Sequence, residues 1–219
     1  MATAERDHEM TRMRRGTLAE RYAHGSRLRE KIPLEKHADL AGSGARDPVA
    51  ILADTDRTRV PELVPVRYQR MLTSPFAFLR GAAAVMAEDL SHQQMAGIVV
   101  QACGDCHLMN FGAFETPEEN ILFDINDFDE TLPGVDFTVD LKRLAASVAV
   151  AALAAGLSHK RARAIAATTV EAYRSHMHGL TKRTPSCVAL PIATRLRSWL
   201  RPTACGCPSW CRCATSACW

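Results

Sequence analysis

The sequence predicts an α+β fold, mostly helical, built around a small β-centre. Three observations lead there. Two apolar runs rich in β-branched residues, Gly97–Cys103 and Asn120–Phe123, read as short buried strands. Asp47-Pro48 and Ser74-Pro75 each place a capping side chain just before a proline, the usual opening of a helix. The Ala-rich run Leu144–Leu157 is apolar nearly all round and is followed by an amphipathic stretch, as expected of a buried helix packed on a half-exposed one.

Taken in order, residues 5–31 are charge-dense with scattered Met, Leu and Tyr, which fits an exposed helix or a loosely attached leader. Glu35–Arg46, containing Gly42-Ser43-Gly44, reads as a linker, so 1–46 is set apart as leader and linker. Asp47 caps a short helix, Pro48–Asp54, and Leu63, Val66, Tyr68 and Met71 predict a second. Arg67 and Arg70 lie near the end of that second helix, facing an anionic ligand or, the preferred reading, simply complementing the helix dipole. Ser74 opens a helix predicted over Phe76–Leu90, with Phe76, Leu79, Ala83, Met86 and Leu90 on the buried face. Thr131–Gly134 reads as a turn. A helix then runs from about Phe137–Asp140 to Ala155, stopped by Gly156, and Ser158 caps another over Lys160–Met177. In that last helix Ala162, Ile165, Ala166 and Tyr173 share the inward face, while Lys160, Arg163 and Arg174 stay wet.

A chain of 219 residues is bounded to one domain or two small ones. With 47% hydrophobic and 23% charged residues it can bury a sizeable core, and a formal net charge of +3 makes no case for nucleic acid. The opening MATAERDHEM has no secretory apolar core, and no segment reaches the roughly 18 apolar residues of a membrane span. The expected location is therefore cytoplasmic and the expected partner a small-molecule acceptor, with neither nucleic acid nor membrane. No coiled-coil heptads mark an oligomeric state.

Chemistry concentrates between Gln101 and Glu130. Asp105, His107 and Asn110 form one tight cluster; Asp124, Asp127, Asp129 and Glu130 form another. If the two strands before them are neighbours, both clusters reach the same end of a sheet. Hard oxygen ligands of this kind suit magnesium, which keeps several waters and takes one or two carboxylates together with substrate phosphates. Positioning and charge neutralisation of that sort carry most of phosphoryl transfer. The plainer reading is that Asp and Asn are common turn formers, that His107 is an ordinary loop histidine, and that Arg80 is a structural partner for a loop aspartate.

GDCHLMNF (104–111) resembles the catalytic loop of the aminoglycoside phosphotransferase and choline kinase branch of the protein-kinase-like superfamily. NDFD (126–129) is similar to that branch's metal-binding Asp motif, and Val139-Asp140-Leu141 to its downstream Asp-Leu helix start. More closely, the span 74–173 resembles the uncharacterised bacterial family named domain of unknown function 2252, on SPFAFLRGAA (74–83), GDCHLMNFG (104–112), FDINDFDETLPG (123–134) and DLKRLAAS (140–147). The resemblance implies the C-terminal, catalytic lobe of a kinase-like fold over 47–180, with Mg2+ and ATP as cofactors. It makes Asp105 the catalytic base, Asn110 and Asp127 metal ligands, His107 a shaper of the loop and Asp140 its brace. Asp124 competes with Asp127, which is preferred because Phe128 follows it. Arg80, inside the first motif, is assigned to a phosphate or to the acidic site.

Two features set this chain apart from a complete enzyme. It shows no G-x-G-x-x-G and no lysine in a V-A-I-K setting, which a phosphotransferase needs to hold nucleotide phosphates. In the resembling family those parts are expected downstream, so isolated activity is not expected of this polypeptide. Residues 185–219 carry all three tryptophans and six of the eight cysteines without core periodicity. Cys205, Cys207, Cys211 and Cys213 fit zinc spacing poorly, and 181–219 reads as an aberrant terminus on a truncated chain. The alternative to a truncated phosphotransferase is a noncatalytic binding or scaffold protein that keeps the fold and the acidic cluster.

Overall fold

A computed structural model describes residues 16–39, 46–117 and 119–181. The Gly42-Ser43-Gly44 linker and the cysteine-rich run 205–213 lie outside the described residues. The architecture is α+β and mostly helical. Helix α1, Leu18–Lys31, opens on a capping box in which Thr17 and Glu20 exchange side-chain bonds with each other's backbone N–H, and it buries none of its residues. Helix α2, Pro48–Asp56, is capped by Asp47, whose Oδ1 accepts from the N–H of Val49 and Ala50 at 2.9 and 3.1 Å. A 3-10 turn, Pro61–Leu63, leads into α3, Val64–Met71. Ser74 Oγ accepts the Ala77 N–H at 3.0 Å and opens α4, Pro75–Gly81, which α5, Ala83–Ser91, follows.

The single helix expected over Phe76–Leu90 is thus two helices broken at Ala82, where φ is −116° and ψ 37°. A side chain from the preceding helix breaks it. The Arg67 guanidinium donates to the Gly81 carbonyl at 2.5 Å, taking the acceptor that an unbroken helix would offer to Val85; the Val85 N–H bonds to Ala82 instead. Gly81 also lies so close to the Met71 side chain that a Cβ would overlap it. The break turns Ala82 and Val85 into a core with Leu52 and Met71, flanked by Ile51 and Tyr68. Of the five positions predicted to be buried, only Leu90 is fully so; Phe76, Leu79, Ala83 and Met86 are half-buried.

Four short strands follow: β1 Val99–Ala102, β2 Phe111–Glu115, β3 Ile121–Ile125 and β4 Leu132–Asp136. They form two antiparallel pairs, β1 with β4 from Val99↔Asp136 to Ala102↔Leu132, and β2 with β3 from Phe111↔Ile125 to Glu115↔Ile121. The two strands read from sequence, β1 and β3, are therefore not neighbours. Nor is Leu132–Gly134 a turn. Its proline, which has no N–H to give, sits in β4 opposite Gln101, beside a register shift that interrupts the ladder.

Helix α6, Thr138–Ala154, and helix α7, His159–Leu180, close the described chain and pack on each other. Gly156, at φ +82°, ends α6 as expected: its N–H bonds to Leu153 and that of Leu157 to Ala152, the paired bonds of a Schellman stop. On the inward face of α7 Ala162 is buried and Tyr173 stacks on Phe137 at 6.5 Å, whereas Ile165 remains exposed. No helix among the described residues is long and apolar enough to cross a membrane.

Candidate functional site

The loop between β1 and β2 is suspended from helix α6 at two points. Asp140, in the first turn of α6, accepts the N–H of Cys103 at 2.8 Å on one carboxylate oxygen and that of Gly104 at 3.0 Å on the other. At the middle of the helix, the fully buried Ser147 accepts the Leu108 N–H at 2.9 Å and donates its own O–H to the Leu144 carbonyl. Gly104 is required where it stands. Its φ is +89°, and a Cβ would run into the backbone carbonyl of Glu130, so the two acidic loops touch through this residue. Asn110 adds a second tie, its N–H₂ donating to the Asp105 carbonyl at 2.6 Å while its own carbonyl accepts the Asn126 N–H at 3.0 Å.

Asp105 sits at the centre, only 6% exposed. Its Oδ1 accepts from Arg143 Nε at 2.6 Å, and Arg143, 3% exposed, gives its Nη2 to the Leu79 carbonyl at 2.6 Å. This buried ion pair ties the loop to both α6 and α4. His107 Nε2 lies 3.7 Å from the other oxygen of Asp105, too far for a hydrogen bond. Burial lowers the His107 pKa, with the charges of Arg143 and Arg80 adding to it against the pull of Asp105. The ring is thus neutral at neutral pH and the contact is not an ion pair; its Nδ1 is buried without a hydrogen-bond partner among the described residues. Cys103 and Cys106 flank Asp105 as free thiols, and burial pushes the Cys106 pKa up to about 12, so it stays protonated.

Beside the loop opens a cleft of about 960 Å³. Asp105, His107, Asn110, Asp127 and Glu130 reach it from the loops; Arg59, Arg67, Arg70 and Arg80 reach it from the helical part. Of the residues singled out from sequence, Asp105, His107, Asn110, Asp127 and Arg80 are brought together here. Asp124 is not: it lies on β3 opposite Gly112, its Oδ1 turned onto the N–H of Ile125, and it does not line the cleft. Arg67 and Arg70, read as helix-end cations, both line it.

Asp127, Glu130 and the Asn110 amide bring oxygen atoms, the donor type a hard cation takes, to this cleft. Glu130's pKa is raised first by burial and then by the charges of Asp105 and Asp127, so negative charge is crowded in this corner. Asp127 spends Oδ1 on a long 3.3 Å bond from the Asp129 N–H, and Asn110 spends its amide nitrogen on the loop, leaving its amide oxygen. Among the described residues there is no group of three or more His, Cys, Asp or Glu side chains arranged for a metal. Magnesium does not need one, because phosphate oxygens and water complete its shell.

Sequence reasoning missed Arg143 and gave Glu130 no role beyond membership of the second acidic cluster. Arg143 had a readable signal, a lone guanidinium one turn after Asp140 in a helix otherwise apolar enough to be buried. Nothing local in the sequence separates Glu130 from Asp129, so its place in the cleft was not readable there.

The family model described as an uncharacterized protein conserved in bacteria, DUF2252, matches residues 59–199, a longer span than the 74–173 that carries the motifs. No curated protein and no solved structure matches the chain. The matched span holds every acidic and guanidinium side chain that lines the cleft, and the chain belongs to the DUF2252 family of uncharacterized bacterial proteins.

Proposed function

We propose that the cleft is the phosphoryl-transfer site of a kinase-like enzyme that uses Mg2+ and ATP on a small-molecule acceptor. One observation carries this reading: carboxylates suited to a cation and guanidiniums suited to phosphate line a single cleft, around the loop with kinase-like spacing. Asp127 and the amide oxygen of Asn110 would hold magnesium, which when bound draws charge from phosphate oxygens. Arg80 offers a planar fork to a phosphate. Asp105 orients an acceptor hydroxyl through the carboxylate oxygen that Arg143 leaves open, and neutral His107 shapes the loop beside it. Asp140 and Ser147 hold that loop in place from α6.

A second reading, a noncatalytic binding protein, has its own support in the burial of Asp105 against Arg143. Turnover separates the two. In a longer family member that also carries a glycine-rich loop and a lysine, phosphoryl transfer predicts ADP formation from Mg-ATP. That rate should fall about a hundredfold when the aspartate matching Asp127 becomes asparagine. Nucleotide binding without any ADP formation in that protein selects the binding role.

A further inference from the structure

Along the chain from Arg46 to Arg143, nearly every arginine has a carboxylate. Arg46 pairs with Asp89, Arg57 with Asp54, Arg59 and Arg67 with Asp56, and Arg143 with Asp105. Arg70 and Arg80 are different: neither side chain has a hydrogen bond or ion pair among the described residues, although both line the cleft that holds Asp127 and Glu130. Each stands in the last turn of its helix, α3 and α4, two elements that pack on each other. The helix dipole accounts for a cation at one such end. It does not account for two converging on one cleft whose acids they leave unpaired.

Opposite charges that share a cleft without neutralising each other leave both sets free for a ligand. We propose that Arg70 and Arg80 form a metal-independent phosphate subsite of this cleft. The proposal rests on the phosphoryl-transfer reading and adds Arg70 to it. Guanidinium suits the role because its fork meets two phosphate oxygens at once and holds its charge at every working pH. Arg67 joins the two helix ends: it bonds to Asp56 at 3.1 Å and to the Gly81 carbonyl at 2.5 Å, which fixes the chain immediately after Arg80 relative to the turn before Arg70. The ligand is a phosphate ester or polyphosphate whose other end reaches the acidic corner.

The test is calorimetric titration of the full chain, in a chelator and without magnesium, with inorganic tripolyphosphate, ATP and glycerol 3-phosphate. Arg70→Gln and Arg80→Gln should each weaken binding by about tenfold or more, the loss expected for one charged hydrogen-bonding partner. Arg80→Lys should restore part of it, and Arg163→Gln, on the exposed face of α7, should change nothing. Both arginines are exposed, so thermal melts should report folded variants. Arginine-dependent binding of tripolyphosphate and ATP marks a nucleotide phosphate; arginine-dependent binding of glycerol 3-phosphate alone marks a phosphorylated acceptor. No binding of any of the three, or affinity that Arg163→Gln lowers as much as the cleft variants do, overturns the subsite. If these anions bind through Arg70 and Arg80 while magnesium adds nothing to ATP affinity, the phosphoryl-transfer reading fails and the subsite stands.

Discussion

Replacing Arg143 with alanine lowers the stability of the folded chain by about 3–5 kcal/mol, the usual effect of leaving a buried charge without its partner. Asp105 and Arg143 are 6% and 3% exposed, so water can do little to solvate the carboxylate left behind. The same substitution takes the donor from the Leu79 carbonyl and opens space beneath Met86, whose sulfur lies 3.7 Å from Arg143 Nη1. Urea unfolding measures the loss. A companion variant isolates its origin: Asp105→Leu with Arg143→Met removes both charges and should recover most of the stability, because a buried ion pair contributes little net over apolar side chains of similar size. If Arg143→Ala costs under about 1 kcal/mol, the value of an exposed pair, the ion pair is solvated and the loop is not anchored as described.

Asp140→Ala should lower stability by about 2–3 kcal/mol, since two backbone N–H groups, of Cys103 and Gly104, lose a charged acceptor together. The effect has a local signature. The loop of residues 103–110 would lose its tie to the N-terminus of α6 while Ser147 still held Leu108. Amide exchange should therefore rise at Cys103 and Gly104 well before it rises at Leu108. Asp140→Asn, which keeps one acceptor oxygen, should fall between. Equal exchange along the whole loop in Asp140→Ala would show that the loop opens as a unit and that Asp140 is not its separate brace.

Local signals in the sequence were legible wherever one side chain acts on its own backbone. Asp47, Ser74 and Ser158 cap the helices they announce, and Gly156 stops α6, because each effect is complete within about a turn. What depended on distant partners was not legible. The break at Ala82 is made by Arg67 reaching Gly81 from another helix, which no periodicity in 76–90 records. Strand β2, FGAFE, carries a glycine and no clean alternation, and it becomes a strand by pairing with β3. The condition that β1 and β3 be neighbours is not met, for the same reason, yet the two acidic loops still meet, through Gly104 packed on Glu130 and Asn110 bonded to Asn126. The site was read as a set of acids with Arg80; Arg143 beneath it and Arg70 in the same cleft were placed there only by packing.

The central claim is that Asp127 lets this cleft take a cation together with phosphate. The most direct measurement is calorimetric titration of ATP into the chain with and without magnesium, repeated with Asp127→Asn. Asp127 is exposed, so that variant should fold as the parent does. The account predicts that magnesium tightens ATP binding by about tenfold or more in the parent and has no such effect in Asp127→Asn. Magnesium that leaves ATP affinity unchanged in both proteins would contradict it and make the acidic corner a structural turn network.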